Sequence, residues 1–183
     1  MGSCISVSSL IVNEKNEKDE KEIVNEKNEK EDIFDIYKNY VYENTPEFTF
    51  NGMREKVKIL KIIDGDTVDI ALCHSFSDKK VYRHRVRMYG IDTPEKRPLK
   101  SNENRDKEIE ASKKSTEALR KKMEENDWIV VASFYKNDKY GRLMCTFYDK
   151  MGEDINKWMI SNGYAKEYFG GTKEKYNEVE KKE

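Results

Sequence analysis

Three short runs of this sequence contain residue types that can carry out chemistry on a phosphate ester. They span residues 64–67 (DGDT), 87–95 (RMYGIDTPE) and 138–142 (DKYGR). Together they supply two carboxylates suited to a metal ion, one suited to a base and two arginines suited to a phosphate. Each run alone is typical of a turn, a loop or a solvated strand residue. Their combination predicts metal-dependent cleavage of a phosphodiester bond.

The two candidate metal ligands are Asp66 and Asp92. Asp66 comes just after a predicted hairpin and Asp92 ends the third predicted strand, so the two converge if these strands are neighbours. Hard cations prefer oxygen ligands. Arg87 and Arg142 are permanently charged, forked donors that match phosphate oxygens, and they are predicted to bind the phosphate and stabilise the transition state.

Glu95 follows Asp92 by three residues, beyond a proline that restricts the turn. This separation lets Glu95 approach the attacking water without joining the metal ligands. Two roles stay open for it, general base and orientation of the water. Asp64 is interpreted as a residue of the turn beside the ligands and not as a ligand.

Four further polar residues have weaker assignments. Lys139 is a candidate phosphate contact or a solvated charge, and Tyr140 is a candidate for phosphate binding or stacking, with packing within the loop as the alternative. His74 and His84 have no suitable partners in the three runs, so both are interpreted as structural or surface residues. A nuclease that depends on histidine is therefore disfavoured.

The elements that must position these residues follow from periodicity. Alternating apolar residues predict five short strands, and apolar residues three or four apart predict two helices. The strands are 57–63, 67–73, 81–89, 128–135 and 143–148, and the helices are 104–125 and 155–162, with Gly163 as the C′ residue of the second helix. This order predicts an α+β fold, a five-stranded Greek-key barrel of the OB type with two to three helices.

The first 45 residues differ from the rest in charge and complexity. Residues 1–50 contain twelve Asp and Glu against six Lys, so the remaining residues carry +5 to give the total of −1. An Ile-Val-Asn-Glu-Lys-Asn-Glu-Lys unit occurs twice, at 11–18 and 23–30, and such a composition cannot bury a core. The chain is predicted to divide into a charged flexible tail, 1–45, and a folded domain, 46–183.

An amphipathic helix is predicted near the end of the tail, at 33–43, because Ile33, Ile36, Tyr37, Tyr40 and Val41 share one helical face. There are three alternatives for this face: it docks on the domain, binds a partner or lies on a membrane. Docking on the domain is favoured.

Residues 1–6 (MGSCIS) fit the pattern for N-myristoylation at Gly2, with a chance match as the alternative. A single myristoyl chain binds membranes only marginally, and the acidic tail is repelled by an anionic leaflet. Palmitoylation of Cys4 is therefore the predicted second anchor. Since no standard signal peptide is evident, the expected location is intracellular, at the cytosolic face of a membrane, with the other cysteines, Cys73 and Cys145, reduced and buried.

From about residue 57 to 171 the sequence resembles the staphylococcal nuclease (thermonuclease) family. The three runs match the family's three motifs, and Asn156 with residues 163–165 (GYA) resembles its C-terminal helix region. The start resembles an N-acylated eukaryotic branch. After Gly171 only twelve residues remain, so the family's third helix is expected to be short or absent.

This resemblance implies an OB-fold domain that hydrolyses DNA and RNA with Ca²⁺. It implies Asp66, Asp92 and the backbone carbonyl of Thr93 as Ca²⁺ ligands, with Arg87, Glu95 and Arg142 as catalytic residues. The resulting hypothesis is a monomeric, calcium-dependent nuclease tethered to a membrane. The alternatives are a non-catalytic module that binds nucleic acid or protein, and an acylated scaffold that acts through its tail.

Overall fold

The computed structural model of the chain describes residues 35–74 and 79–171. These residues belong to two compact units, Met1–Phe48 and Thr49–Glu183. Gly2, Cys4, the repeat and residues 172–183 lie outside the described residues, and the predicted division at residues 45 and 46 stays a prediction. No helix in the described part of the chain is both long enough and apolar enough to span a bilayer.

The second unit is built on a closed five-stranded barrel, which confirms the predicted α+β fold of the OB type. Its strands are β1 (Arg54–Ile62), β2 (Thr67–His74), β3 (Lys80–Met88), β5 (Ile129–Tyr135) and β6 (Leu143–Tyr148), while the short β4 (Ile91–Asp92) lies outside the barrel. The barrel order is β1-β2-β3-β6-β5, and β5 pairs with β1 to close it. Neighbouring strands of the barrel are antiparallel, except that β3 and β6 run parallel.

Alternation along the strands explains the barrel's core. In β2 and β3 every second side chain points inward, and Val68, Ile70, Val86 and Met88 are fully buried. Arg83, Arg85 and Arg87 lie on the opposite, outward face, as the alternation predicts. The barrel is therefore apolar inside, while β3 presents three arginines outside.

Two helices complete the unit, α1 (Arg105–Glu125) and α2 (Ile155–Ser161). Helix α1 packs against β1 and α2, and α2 packs against β6. Asp154 caps α2 by accepting a hydrogen bond from the Lys157 N–H, and Gly163 follows the helix with a positive φ of 74°, as predicted for a C′ residue. Both helices occur where the sequence predicts them.

Several local predictions need correction. Within 33–43, one helical turn occupies residues 35–37 and turns follow it, while residues 33 and 34 are outside the described residues. Strand β5 begins at Ile129 rather than at Trp128, because Trp128 has a left-handed φ of 62° that no strand accommodates. Cys145 is buried as predicted, but Cys73 is exposed because it lies on the outward face of β2.

A second, two-stranded sheet was not predicted. It pairs β4 (Ile91–Asp92) with β7 (Lys166–Glu167) and so joins the loop after β3 to the chain after α2. Asn156 reinforces this connection from α2. Its Nδ2 donates to the carbonyls of Tyr89 (2.8 Å) and Cys145 (3.1 Å), and its Oδ1 accepts from the Phe147 N–H (3.1 Å).

Asn156→Ala is expected to destabilise the domain strongly, because three backbone groups lose their side-chain partner. The expected loss is about 1–3 kcal/mol for each buried group left unpaired. Urea unfolding of the variant measures it. Asn162→Ala, at the exposed end of the same helix, is the control and should cost much less; equal losses would show that Asn156 has no special role.

Candidate functional site

The site begins at the turn between β1 and β2. The Ile63 and Asp64 N–H groups donate to the Thr67 carbonyl (2.9 and 3.3 Å), which closes the predicted hairpin. The Asp64 carboxylate accepts a hydrogen bond from the Asp66 N–H (3.2 Å), so Asp64 lies in the turn, where the sequence placed it. This turn points the Asp66 side chain toward β3.

Arg87 joins the two carboxylates that the sequence predicts to be metal ligands. Its Nη1 lies 2.7 Å from Asp66 Oδ1, and its Nη2 lies 2.7 Å from Asp92 Oδ1. The register accounts for this contact, because Thr67 pairs with Arg87 across β2 and β3, while Asp92 follows the turn at Gly90. The structure therefore brings Asp66, Arg87 and Asp92 together in one cluster.

Burial makes the electrostatics of this cluster strong. Asp66 is only 3% exposed, and its burial, with the nearby Asp64 and Asp92 charges, raises its pKa to about 6 even though Arg87 and the Thr67 hydroxyl lower it. Burial alone would lower the pKa of Arg87, but the Asp66 and Asp92 charges outweigh it and raise that pKa. Arg87 thus offsets the burial of Asp66 only in part, whereas the two carboxylates keep Arg87 charged.

Thr93 lies against the same cluster. It is buried, and its N–H donates to Asp66 Oδ2 at 3.3 Å. The Thr93 backbone is therefore next to Asp66, and the role of its carbonyl as a third ligand stays a prediction.

Glu95 follows in the loop after β4, and its side chain is exposed. Its backbone N–H donates to Oε1 of Glu108, a buried residue of α1, at 3.1 Å. The other oxygen of Glu108 accepts from Asn102 Nδ2 at 2.6 Å. Helix α1 thereby fixes both ends of the loop that carries Glu95.

Arg142 is held by the third run. Asp138 Oδ2 accepts from Arg142 Nε at 2.6 Å, and Asp138 Oδ1 accepts from the Tyr140 and Arg142 N–H groups, both at 2.9 Å. Burial would raise the pKa of Asp138, but these hydrogen bonds outweigh it and lower the pKa. Arg142 directly precedes β6, whose Leu143 pairs with Val86, so it lies on the strand beside β3.

The two weaker candidates lie at the tip of this loop. Tyr140 is 72% exposed, with Lys139 Nζ 5.1 Å and Arg142 Cζ 5.6 Å from its ring centroid. These contacts are compatible with packing within the loop, which was the alternative for Tyr140. His74 and His84 lie within the described barrel, where their Nε2 atoms are 2.9 Å apart, and neither joins the carboxylate cluster.

The donor set fits a hard cation. Asp66 and Asp92 supply carboxylate oxygens, the ligands that Ca²⁺ prefers, and Arg87 contacts one oxygen of each. No group of three His, Cys, Asp or Glu side chains suited to a metal occurs among the residues that the structure describes. A cation here would thus need the Thr93 carbonyl and water in addition to the two carboxylates.

Sequence reasoning missed the supporting residues. The face of α1 predicted from apolar residues includes Leu119 and Met123, but the buried face also contains Glu108, Ser112 and Ser115. They precede Leu119 in successive steps of four, three and four residues, which place them on its face, and this was the available signal. The same helix thus contributes Leu119 and Met123 to the core and Glu108 to the loop that carries Glu95.

The chain matches a known protein family over its C-terminal half. A family model described as "Staphylococcal nuclease homologue" matches residues 85–183, more than half of the chain. The match contains Arg87, Asp92, Glu95 and Arg142. It begins after Asp66, yet the pairing of β2 with β3 places Asp66 beside the matched residues.

Three curated relatives resemble this chain. Endonuclease YhcR of Bacillus subtilis (strain 168) is 26% identical over 110 residues, covering 60% of this chain and 8% of that protein. Succinoglycan biosynthesis protein ExoI of Rhizobium meliloti (strain 1021) is 31% identical over 110 residues, covering 57% and 48%. An uncharacterized endonuclease of Escherichia coli O157:H7 is 24% identical over 120 residues, covering 66% and 62%. The chain thus spans less than two thirds of each relative.

Gly65→Ala is expected to disturb the cluster, because a Cβ at residue 65 would lie 2.1 Å from Ser115 Oγ and 2.9 Å from Thr93 Cγ2. Such overpacking costs about 1–3 kcal/mol. Thermal unfolding measures the loss. Adding Ser115→Ala removes the closest atom and should restore part of the stability; a Gly65→Ala variant as stable as the wild type would disprove the close approach.

Proposed function

The chain belongs to the staphylococcal nuclease homologue family, and we propose that it is a calcium-dependent nuclease that hydrolyses phosphodiester bonds of DNA or RNA. The observation that supports this most is the buried cluster in which Asp66 and Asp92 meet Arg87. Relatives named endonucleases, at 24% and 26% identity, support the same reaction class. All residues of the proposed site belong to one chain, so a monomer suffices.

The proposed roles follow from the contacts. Asp66, Asp92 and the Thr93 carbonyl would hold Ca²⁺, which when bound neutralises charge on the phosphate. Arg87 and Arg142 bind the phosphate oxygens and stabilise the added negative charge of the transition state. Their carboxylate partners keep both guanidinium groups oriented before the substrate arrives, which limits the entropy lost on binding.

Glu95 acts on the attacking water, as a base or by orienting it. Its exposed side chain meets solvent, while the bond from its N–H to Glu108 restrains its backbone. Lys139 and Tyr140, at the exposed tip of the Arg142 loop, are proposed to contact the substrate beyond the scissile phosphate.

The decisive test measures cleavage of single-stranded DNA and RNA by the purified full chain, with Ca²⁺ and with a chelator. Cleavage is expected only with Ca²⁺. Glu95→Gln should lower turnover about 10²–10⁴-fold, and Arg142→Gln about 10²–10³-fold.

Arg120→Gln is the matched control, because Arg120 has a similarly exposed side chain (43% against 40% for Arg142) that likewise pairs with a carboxylate, that of Glu117 on α1. Its activity should equal that of the wild type. Absence of cleavage under every condition would contradict the enzyme proposal and leave the non-catalytic binding module.

Membrane attachment is a separate part of the proposal. Myristoylation of Gly2 and palmitoylation of Cys4 would together give a stable membrane anchor at the cytosolic face. A single acyl chain would not anchor the protein stably, and the acidic tail would not add to its attraction to the membrane. In a eukaryotic cell, Gly2→Ala should move the protein from the membrane fraction to the soluble fraction, and Cys4→Ser should do so in part. Unchanged fractionation of Gly2→Ala would refute the anchor.

A further inference from the structure

The outward face of β1, β2 and β3 carries an excess of positive charge. Its exposed basic side chains, which we call the basic face, are Lys56, Lys58, Lys61, Arg83 and Arg85. By contrast, exposed acidic and basic residues alternate along α1, as in its Glu110–Lys114 pair. A solvated surface normally mixes both signs, so a face of one sign is a candidate for binding a polyanion.

Strand register orders the basic face into rows. Lys58 and Arg83 flank Ala71, and Lys61 and Arg85 flank Asp69. The next outward residue of β3 is Arg87, in the carboxylate cluster. Alternate residues of a strand are about 6.8 Å apart, a spacing comparable to that of successive phosphates in an extended single strand. The basic face thus runs directly from the proposed site.

Arg85 is positioned within this face. Its Nε and Nη2 donate to the two oxygens of Asp69 at 2.8 and 3.2 Å, and Asp69 is buried while the Arg85 side chain is 59% exposed. An arginine has five N–H donors, so this pair leaves others for a ligand. Asp64 is close enough to raise the pKa of Arg85 further, after Asp69. Even with Asp69 counted, the five basic residues leave the face positive.

Arg142 adjoins the same row from the other side. It precedes Leu143 directly, as Arg85 precedes Val86, and Leu143 and Val86 form the first pair of the parallel β3–β6 ladder. Its side chain is 40% exposed. The positive surface is therefore continuous from β1 across β3 to the loop that carries the proposed phosphate-binding Arg142.

We propose that the basic face binds a single strand of nucleic acid that extends from the scissile phosphate, with successive phosphates on Arg85 and Arg83 and with Lys58 and Lys61 beside them. A single strand is favoured because the spacing of alternate residues along β3 matches that of an extended nucleic-acid backbone. The contacts are to phosphates, so they carry no sequence preference. This inference rests on the proposed nuclease function and adds the path of the substrate.

Binding of labelled oligodeoxythymidylate to the full chain tests the path. Fluorescence anisotropy is measured in chelator, so no cleavage is required, with a strand of about 12 nucleotides, which lies within the site size of an OB fold. The test variant is Lys58→Gln/Lys61→Gln/Arg83→Gln. The control, Lys113→Gln/Lys121→Gln/Lys157→Gln, removes the same charge from exposed positions on the two helices.

If the proposal is right, the test variant binds the strand more weakly than the control, and the slope of log affinity against log salt falls by about 2, since each single-strand contact contributes about 0.7. Equal affinities and slopes for the two variants would overturn it, as would undetectable binding by the wild type. Binding by the wild type without any cleavage in Ca²⁺ would instead refute the proposed function and leave this path standing.

Discussion

The contact between the Arg87 guanidinium and the Asp66 and Asp92 carboxylates is the constraint on which the site depends. Two carboxylates near one another repel, and burial penalises the charge of Asp66. A positive group between them offsets this cost, and Arg87 occupies that place at 2.7 Å from each. The pairing of β2 with β3 and the turn at Gly90 are arranged so that these three side chains meet.

The same device recurs around the site. Three of the arginines that we expect to meet a phosphate already have a carboxylate partner: Arg87 has Asp66, Arg85 has Asp69 and Arg142 has Asp138. Such pairs hold the guanidinium planes in place, so less side-chain freedom is lost when an anion binds. A phosphate must in turn compete with these carboxylates. The carboxylate partners therefore orient the guanidinium groups but also weaken their binding of phosphate.

The local pattern of apolar residues was enough to predict the barrel, but not the contacts that hold its loops and arginines in place. Alternation of apolar and polar residues predicted the five barrel strands and the outward arginines, because a period of two can be recognised from a few neighbouring residues. The β4–β7 pair was not predicted, because strands of two residues have no recognisable period and because their pairing joins segments that are distant in the sequence. Glu108 and Asp69 were missed for a related reason. Their partners, Glu95 and Arg85, are known only once a helix docks or a register is set.

The parallel pairing of β3 with β6 has a consequence for the order of folding. Leu143 pairs with Val86, although more than fifty residues and all of α1 and β5 separate them. Contacts so distant along the chain carry a large loop-closure cost and form slowly. Arg142 consequently joins the other charged groups only when the barrel closes. A chain in which β2 and β3 have paired before β6 joins them would hold Asp66 and Arg87 without Arg142, so the two arginines proposed to bind phosphate would meet only in the finished fold.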